Sequence, residues 1–256
     1  GLLLLLQNAT GNLRGNQKKY MLVIVLLLLS KFGLAQQLEN SGFEDWEKIG
    51  DTQEPIGWNT ILTGDLCRFC SMVASQRAFP DSKEVIDGKR SIRIESKSIL
   101  GGIVFNGSVT TGRIVVPSAS ATAGYNQTKK SNIDFNQRLN SVPDSLVFWA
   151  KYNIEDSSDS AFVVFVIHGN TELQVPVPKT QKNSIIATIR KTFQTNGEWE
   201  RISIPFTMVN PYISPEFILA TFSSSFVVGK GNGDAKLWVD KVELVYTRDP
   251  ITMNQD

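Results

Sequence analysis

From Ser91 to Tyr246, short apolar or alternating segments recur between glycine, proline and acidic turn residues, and helix-period patterns are nearly absent. This spacing restricts the chain to an all-β fold, an antiparallel β-sandwich of the jelly-roll type. Residues 91–95 alternate strictly after the turn Asp87-Gly88, and residues 103–105 and 113–116 are apolar runs ended by glycine and by Pro117. Residues 146–152 form a strong strand pattern. Residues 161–167 are nearly all β-branched or aromatic, which predicts a central strand buried on both faces. Further strands are predicted over 172–175, 198–206, 217–223 and 236–246, and 183–191 reads as strand or loop rather than helix. Pro205 removes a ladder donor and so limits where its strand can sit. The final segment alternates through Leu237 and Val239, then through Val242, Leu244 and Tyr246. A period of two cannot skip a residue in this way, so a bulge is predicted near Asp240 and Lys241.

The N-terminal segment has a different pattern. Lys18 and Lys19 precede ten uncharged residues, 20–29, and the stretch 30–35 ends with small residues at Gly33 and Ala35. This is the order of a signal peptide cut after Ala35. The apolar core is shorter than the roughly 20 residues of a membrane-spanning helix, and Lys31 interrupts it. No cysteine follows the cut to carry a lipid. Residues 1–6 form a second apolar run with no initiating Met, so residues 1–35 read as a signal peptide with an upstream extension. Residues 36–246 then form a single domain and 247–256 a polar tail. The predicted location is the periplasm, the cell surface or the medium.

Charge separates the same two parts. Arg14, Lys18, Lys19 and Lys31 are the only charges in residues 1–35; taking them from 26 basic residues leaves 22 against 25 acids, a net charge of −3. That balance gives no support for a nucleic-acid partner. Cys67 and Cys70 stand in a Cys-Arg-Phe-Cys pair. In an oxidising compartment the pair reads as a small loop disulfide. Thioredoxin-like chemistry would need a helix N-terminus within a βαβ unit, and the sequence signals neither. A metal site would need further thiol or imidazole ligands, and the chain has two cysteines and one histidine.

Residues 37–46 read Gln-Leu-Glu-Asn-Ser-Gly-Phe-Glu-Asp-Trp, and 237–242 read Leu-Trp-Val-Asp-Lys-Val. With these two ends the chain resembles the galactose-binding-like jelly rolls of many carbohydrate-binding modules. More specifically, it resembles the Bacteroidetes family called the "putative carbohydrate metabolism domain". Residues 148–152, the acid-rich stretch 155–160, the serines 223–225 and the glycines at 229, 231 and 233 support the likeness, which spans most of 36–246. The resemblance implies a β-sandwich with a role in glycan handling and no established reaction. It also implies that the first and last strands lie close together. A structural calcium would be held there by Glu44 and Asp240, with backbone carbonyls from residues 87–89, Lys89 included. Lys241 departs from the pattern, because related modules often carry a second acid there.

Planar rings stack on sugar faces, so the aromatic residues are the next candidates. In the segment 146–152, Phe148, Ala150 and Tyr152 share one face, and Val147, Trp149 and Lys151 share the other. If the Phe148 face is core, Trp149 and Lys151 line a sugar-binding surface; otherwise Trp149 is core. Trp58 follows Pro55-Ile56-Gly57 in a predicted rim loop. The polar stretch 119–138, read as a long loop, carries Tyr125, Asn126, Gln127 and Asp134. Trp58, Tyr125, Trp149 and Lys151 are therefore the candidate ligand-binding residues.

Signs of catalysis are weak. Glycoside hydrolysis needs two carboxyl groups about 5–9.5 Å apart. Glu155, Asp156 and Asp159 cluster, but in a serine-rich stretch that reads as a hairpin turn. His168 ends a buried strand before Gly169-Asn170, and no nucleophile-elbow pattern surrounds Ser160 or residues 223–225. Residues 229–233 are glycine-rich but lack a serine or threonine after the Gly-Lys, so they read as a flexible turn. The expected function is an exported, non-catalytic glycan-binding module used in polysaccharide handling, with carbohydrate as partner. The alternatives are a glycoside-active enzyme with a carboxylate pair and a protein-binding adhesion or structural module.

Overall fold

The computed structural model describes residues 35–98, 104–155, 159–227, 229 and 233–247. Ile103, the acid-rich turn at Asp156 and the Lys230–Asn232 part of the glycine segment lie outside the described residues. So do the signal segment before Ala35 and the tail beyond Thr247. Among the described residues, two antiparallel sheets face each other. One has strands in the order Glu200–Pro205, Ser145–Asn153, Lys236–Val245, Ser91–Glu95 and Ala78–Asp81. The other runs Gln137–Arg138, Phe217–Ser223, Ala161–His168, Ile185–Phe193 and Thr207–Met208, with Ser108–Thr110 also paired to Phe217–Ser223. The chain is thus an antiparallel β-sandwich of the jelly-roll type. Pro205 lies at the end of an edge strand, where its missing donor is tolerated.

Alternation decides which side chains fill the interior. Phe148, Ala150 and Tyr152 of the five-stranded sheet are buried, as are Val163, Phe165 and Ile167 of the six-stranded sheet. Phe222 joins the layers: its ring centre lies 5.1 Å from Phe148, 5.4 Å from Phe165 and 6.1 Å from Trp58. The Tyr152 hydroxyl donates to the Ser224 carbonyl at 3.0 Å, a polar tie between the sheets, and burial pushes its ionisation up.

The strand Ala161–His168 is buried on both faces, as its composition predicts. Its second face meets a separate small sheet of Gln174–Val175, Tyr125–Gln127, Arg113–Val116 and Asp65–Leu66, the last pair parallel. Val164, Val166 and Leu219 pack there against Leu173 and Val175. Tyr125–Gln127 is therefore a strand and not part of a loop. It lacks the apolar alternation of a half-buried strand, and partners on both sides hold it.

The predicted bulge is present. Val147 pairs with Glu243 while Trp149 pairs with Asp240, and Lys241 takes a left-handed φ of 49°. The acid-rich stretch after Glu155 is not a hairpin, because it links Ser145–Asn153 in one sheet to Ala161–His168 in the other. A crossover and a hairpin use the same turn residues, so sequence alone does not separate them. Asp159, at the end of this link, is 4% exposed and accepts from the amides of Ser160 and Phe226 and from the Ser225 hydroxyl.

Candidate functional site

The two ends of the domain meet as the resemblance implies. The Gln37 side chain brackets Leu244, donating to its carbonyl at 2.7 Å and accepting from its amide at 2.8 Å, and the Val242 amide donates to Ser41. Glu44 and Asp240 both face the loop 86–90. Asp240 is fully buried; its Oδ2 accepts from the amides of Ile86 (2.8 Å) and Asp87 (3.0 Å), and its Oδ1 from that of Lys241 (2.7 Å). Glu44 Oε1 accepts from the amides of Lys89 (2.8 Å) and Arg90 (3.2 Å). Burial pushes the Asp240 carboxyl up, the amides oppose that, and the nearby Glu44 charge adds to it. Gly88 is required here: its φ is +73°, and a Cβ would lie 1.9 Å from Glu44 Oε1.

The Lys89 backbone thus contributes its N–H to Glu44. Calcium asks for six to eight oxygen ligands. Here backbone amides donate to both Asp240 oxygens and to one of the two Glu44 oxygens. Among the described residues no three metal-ligating acid, thiol or imidazole groups come together.

The four candidate ligand residues separate. Trp58 is 1% exposed, with its indole N–H donating to the Glu39 carbonyl at 3.0 Å and its ring centre 5.2 Å from Phe43. It is a core residue and does not reach a ligand surface, contrary to the expectation from its loop position. Asn40 turns the chain inward at this point, donating to the carbonyls of Asp45 and Ile56. Trp149 and Lys151 lie on the outer face of the five-stranded sheet, each half-buried. Lys151 is engaged by Glu84 at 3.0 Å and sits 5.6 Å from the Trp238 ring centre. Tyr125 lies across the sandwich from them, over the six-stranded sheet.

Tyr125 marks the strongest site. The small sheet covers only part of the six-stranded face. Beyond Val175, the residues Phe162 and Val164 floor a cleft of about 460 Å³, within the range of about 300–1,000 Å³ typical of ligand pockets. Tyr125 and Asn126 stand on one wall and Phe226, 44% exposed, on another. The Asn126 amide donates to Thr221 Oγ1 at 2.9 Å, which donates to Thr110 Oγ1 at 3.0 Å, which donates to the Ala220 carbonyl at 2.8 Å. This relay fixes the Asn126 side chain, and its carbonyl oxygen makes no hydrogen bond to the described residues.

The disulfide belongs to the same cleft. Cys67 and Cys70 are bonded, with Cα atoms 5.0 Å apart, and Cys67 Sγ accepts from the Cys70 amide at the start of a short helix, Arg68–Val73. The pair therefore sits on a helix start and not in a loop. No βαβ unit surrounds it, since the flanking strands Asp65–Leu66 and Ala78–Asp81 lie in different sheets. The helix presents Phe69, 53% exposed, to the cleft.

Sequence reasoning missed Phe162, Phe226 and Arg190, which also line the cleft. A second cleft of about 460 Å³ is polar and includes Arg77, Glu95, Glu155 and Asp234. His168 reaches neither cleft.

No protein-family model matches the sequence, and no curated relative matches it. Among solved structures, the chain is similar to a "putative glycoside hydrolase" from Bacteroides thetaiotaomicron. That match has a TM-score of 0.58 and 18% identity over 84% of this chain and 72% of that one. It is also similar to the K1 cleaved adhesin domain of Lys-gingipain from Porphyromonas gingivalis (TM-score 0.41, 13% identity, 81% and 96% covered). A family 11 carbohydrate-binding module from Clostridium thermocellum, in complex with a β-1,3-1,4-mixed-linked tetrasaccharide, gives a TM-score of 0.35 at 11% identity, with 79% and 96% covered. At these identities the first likeness establishes the sandwich fold alone, and the other two are too distant to carry an argument.

Proposed function

We propose that this chain is an exported, non-catalytic glycan-binding module, and that the cleft over Phe162 is its sugar site. One observation carries the reading. The rings of Phe69, Phe105, Tyr125, Phe162 and Phe226 line the same open volume as the polar groups of Asn126, Thr221 and Ser223. Rings supply apolar faces for the C–H side of a sugar, and amides and hydroxyls pair with its hydroxyls. The described lining includes no Asp or Glu, whereas the two-carboxylate hydrolytic route needs both acids at the bond. The export part of the proposal rests on residues 18–35.

A panel of immobilised glycans tests the reading. At least one glycan is expected to bind, and Tyr125→Ala is expected to weaken it roughly tenfold, the equivalent of about 1.4 kcal/mol. Trp149→Ala, on the opposite face, should leave affinity unchanged. Absence of binding across the panel would sink the proposal. Loss on Trp149→Ala with none on Tyr125→Ala would move the site to the other sheet.

The acid-lined second cleft favours the enzyme reading, with Glu95, Glu155 and Asp234 as its carboxylates. Release of reducing ends from a polysaccharide, abolished by Glu155→Gln, would establish it over the binding proposal.

For the Glu44–Asp240 corner, chelation with a strong calcium ligand should leave the melting midpoint unchanged, because amides already hold both carboxylates. A clear drop would restore the ion.

A further inference from the structure

Arg190 sits where the sugar site needs a charge explained. It lies on the strand Ile185–Phe193, opposite Val164, and faces out over the cleft floor. Its guanidinium carbon is 4.7 Å from the Phe162 ring centre and 5.8 Å from that of Phe226. Two rings therefore hold a flexible side chain in place, and the residue is exposed. Among the described residues it makes no ion pair. Arg77 also reaches the cleft but is engaged by Ser75 and feels the charge of Glu95. Asp159 lies behind the Phe226 wall, yet it is 4% exposed and already accepts from the amides of Ser160 and Phe226 and from the Ser225 hydroxyl.

A cation positioned by stacking, beside sugar-sized space whose described lining has no acid, suits one class of ligand. We propose that the cleft takes an anionic saccharide, a chain carrying carboxylate or sulfate groups, with Arg190 as the residue that meets the charge. This rests on the glycan-binding reading of the same cleft. The planar fork of a guanidinium matches both oxyanions in a bidentate fashion, and stacking against Phe162 and Phe226 leaves its N–H edge free to do so. The Tyr125 ring then serves the sugar ring, and Asn126 its hydroxyls.

Three probes titrated into the folded domain test this: an oligogalacturonate, its carboxyl-reduced counterpart of equal length, and a dextran sulfate oligomer. At least one acidic probe is expected to bind about ten- to a hundredfold more tightly than the reduced one, the worth of a charge-assisted bond. The acidic probe that gains identifies carboxylate or sulfate as the group recognised. The gain should shrink as salt rises. Arg190→Gln should abolish the difference between the acidic and the reduced probe, read as the ratio of their affinities for the same variant, and Arg190→Lys should restore part of it. Equal affinity for charged and reduced probes would overturn the inference but leave the glycan site standing. A gain that survives Arg190→Gln would overturn it too. Failure of all three probes and of the wider glycan panel would remove the underlying reading as well.

Discussion

Replacing Asp240 with alanine should lower the folding free energy by about 3–5 kcal/mol, the largest effect expected of a single polar substitution in this domain. The side chain is fully buried and serves three backbone donors, the amides of Ile86, Asp87 and Lys241. Removing it takes the acceptor from three part-buried hydrogen bonds at once, and each unmet buried donor costs about 1–3 kcal/mol. The loss also spreads, because the 86–90 loop that Asp240 anchors is the loop that wraps Glu44. Asp240→Asn keeps one acceptor oxygen but turns an NH2 group toward an amide, so its cost should fall between wild type and alanine. Urea unfolding at pH 7 gives both values, and a loss below about 1 kcal/mol for alanine would contradict the account.

Asp240 also shows how far the sequence could be read. The skipped alternation between Val239 and Val242 is a local signal of a bulge, and the bulge is there because backbone pairing leaves a period-two strand no other way to slip. The central strand Ala161–His168 was legible for a similar reason: only a strand covered on both faces tolerates that composition. What covers its second face was not legible. The small sheet is assembled from two- to four-residue strands far apart in the chain, too short to show a period. The cleft exists only because that cover stops short of Phe162, so neither Phe162 nor Arg190 carried a signal of its own. Residue type points to Tyr125, although the sequence of its strand has the composition of a loop. Trp58 failed in the opposite way: its loop context suggested a rim, but Asn40 and Glu39 bind the turn and the indole inward.

Acidification should cost the domain about 3 kcal/mol through His168 alone, between pH 6.5 and about pH 4. The ring is fully buried at the end of the strand Ala161–His168, its centre 5.6 Å from that of Phe217. A carbonyl only accepts, so Nδ1 carries the proton and donates to Gly169 O at 2.9 Å; Nε2 then accepts from the Thr128 hydroxyl at 2.9 Å. Both ring nitrogens are thus satisfied in the neutral form, and burial pushes the pKa down to about 4. Above the unfolded value of about 6.5 neither state is protonated and the contribution is complete. As pH falls below that value the unfolded chain takes a proton the folded ring refuses, and stability drains away until the folded pKa is passed. Glu54 and Asp240 work against this trend. Burial raises both carboxyls, so the folded state takes up their protons first and gains stability as pH falls through those values. A bare stability–pH curve therefore mixes the two signs, and the difference between wild type and His168→Gln isolates the histidine. That difference should shift by about 3 kcal/mol in favour of the variant between pH 7 and pH 4. Because the chain has a single histidine, its imidazole resonance can be followed directly in the folded protein. A midpoint near 6.5 there, or a wild type–variant difference that stays constant with pH, would show that the ring is not the buried neutral group described.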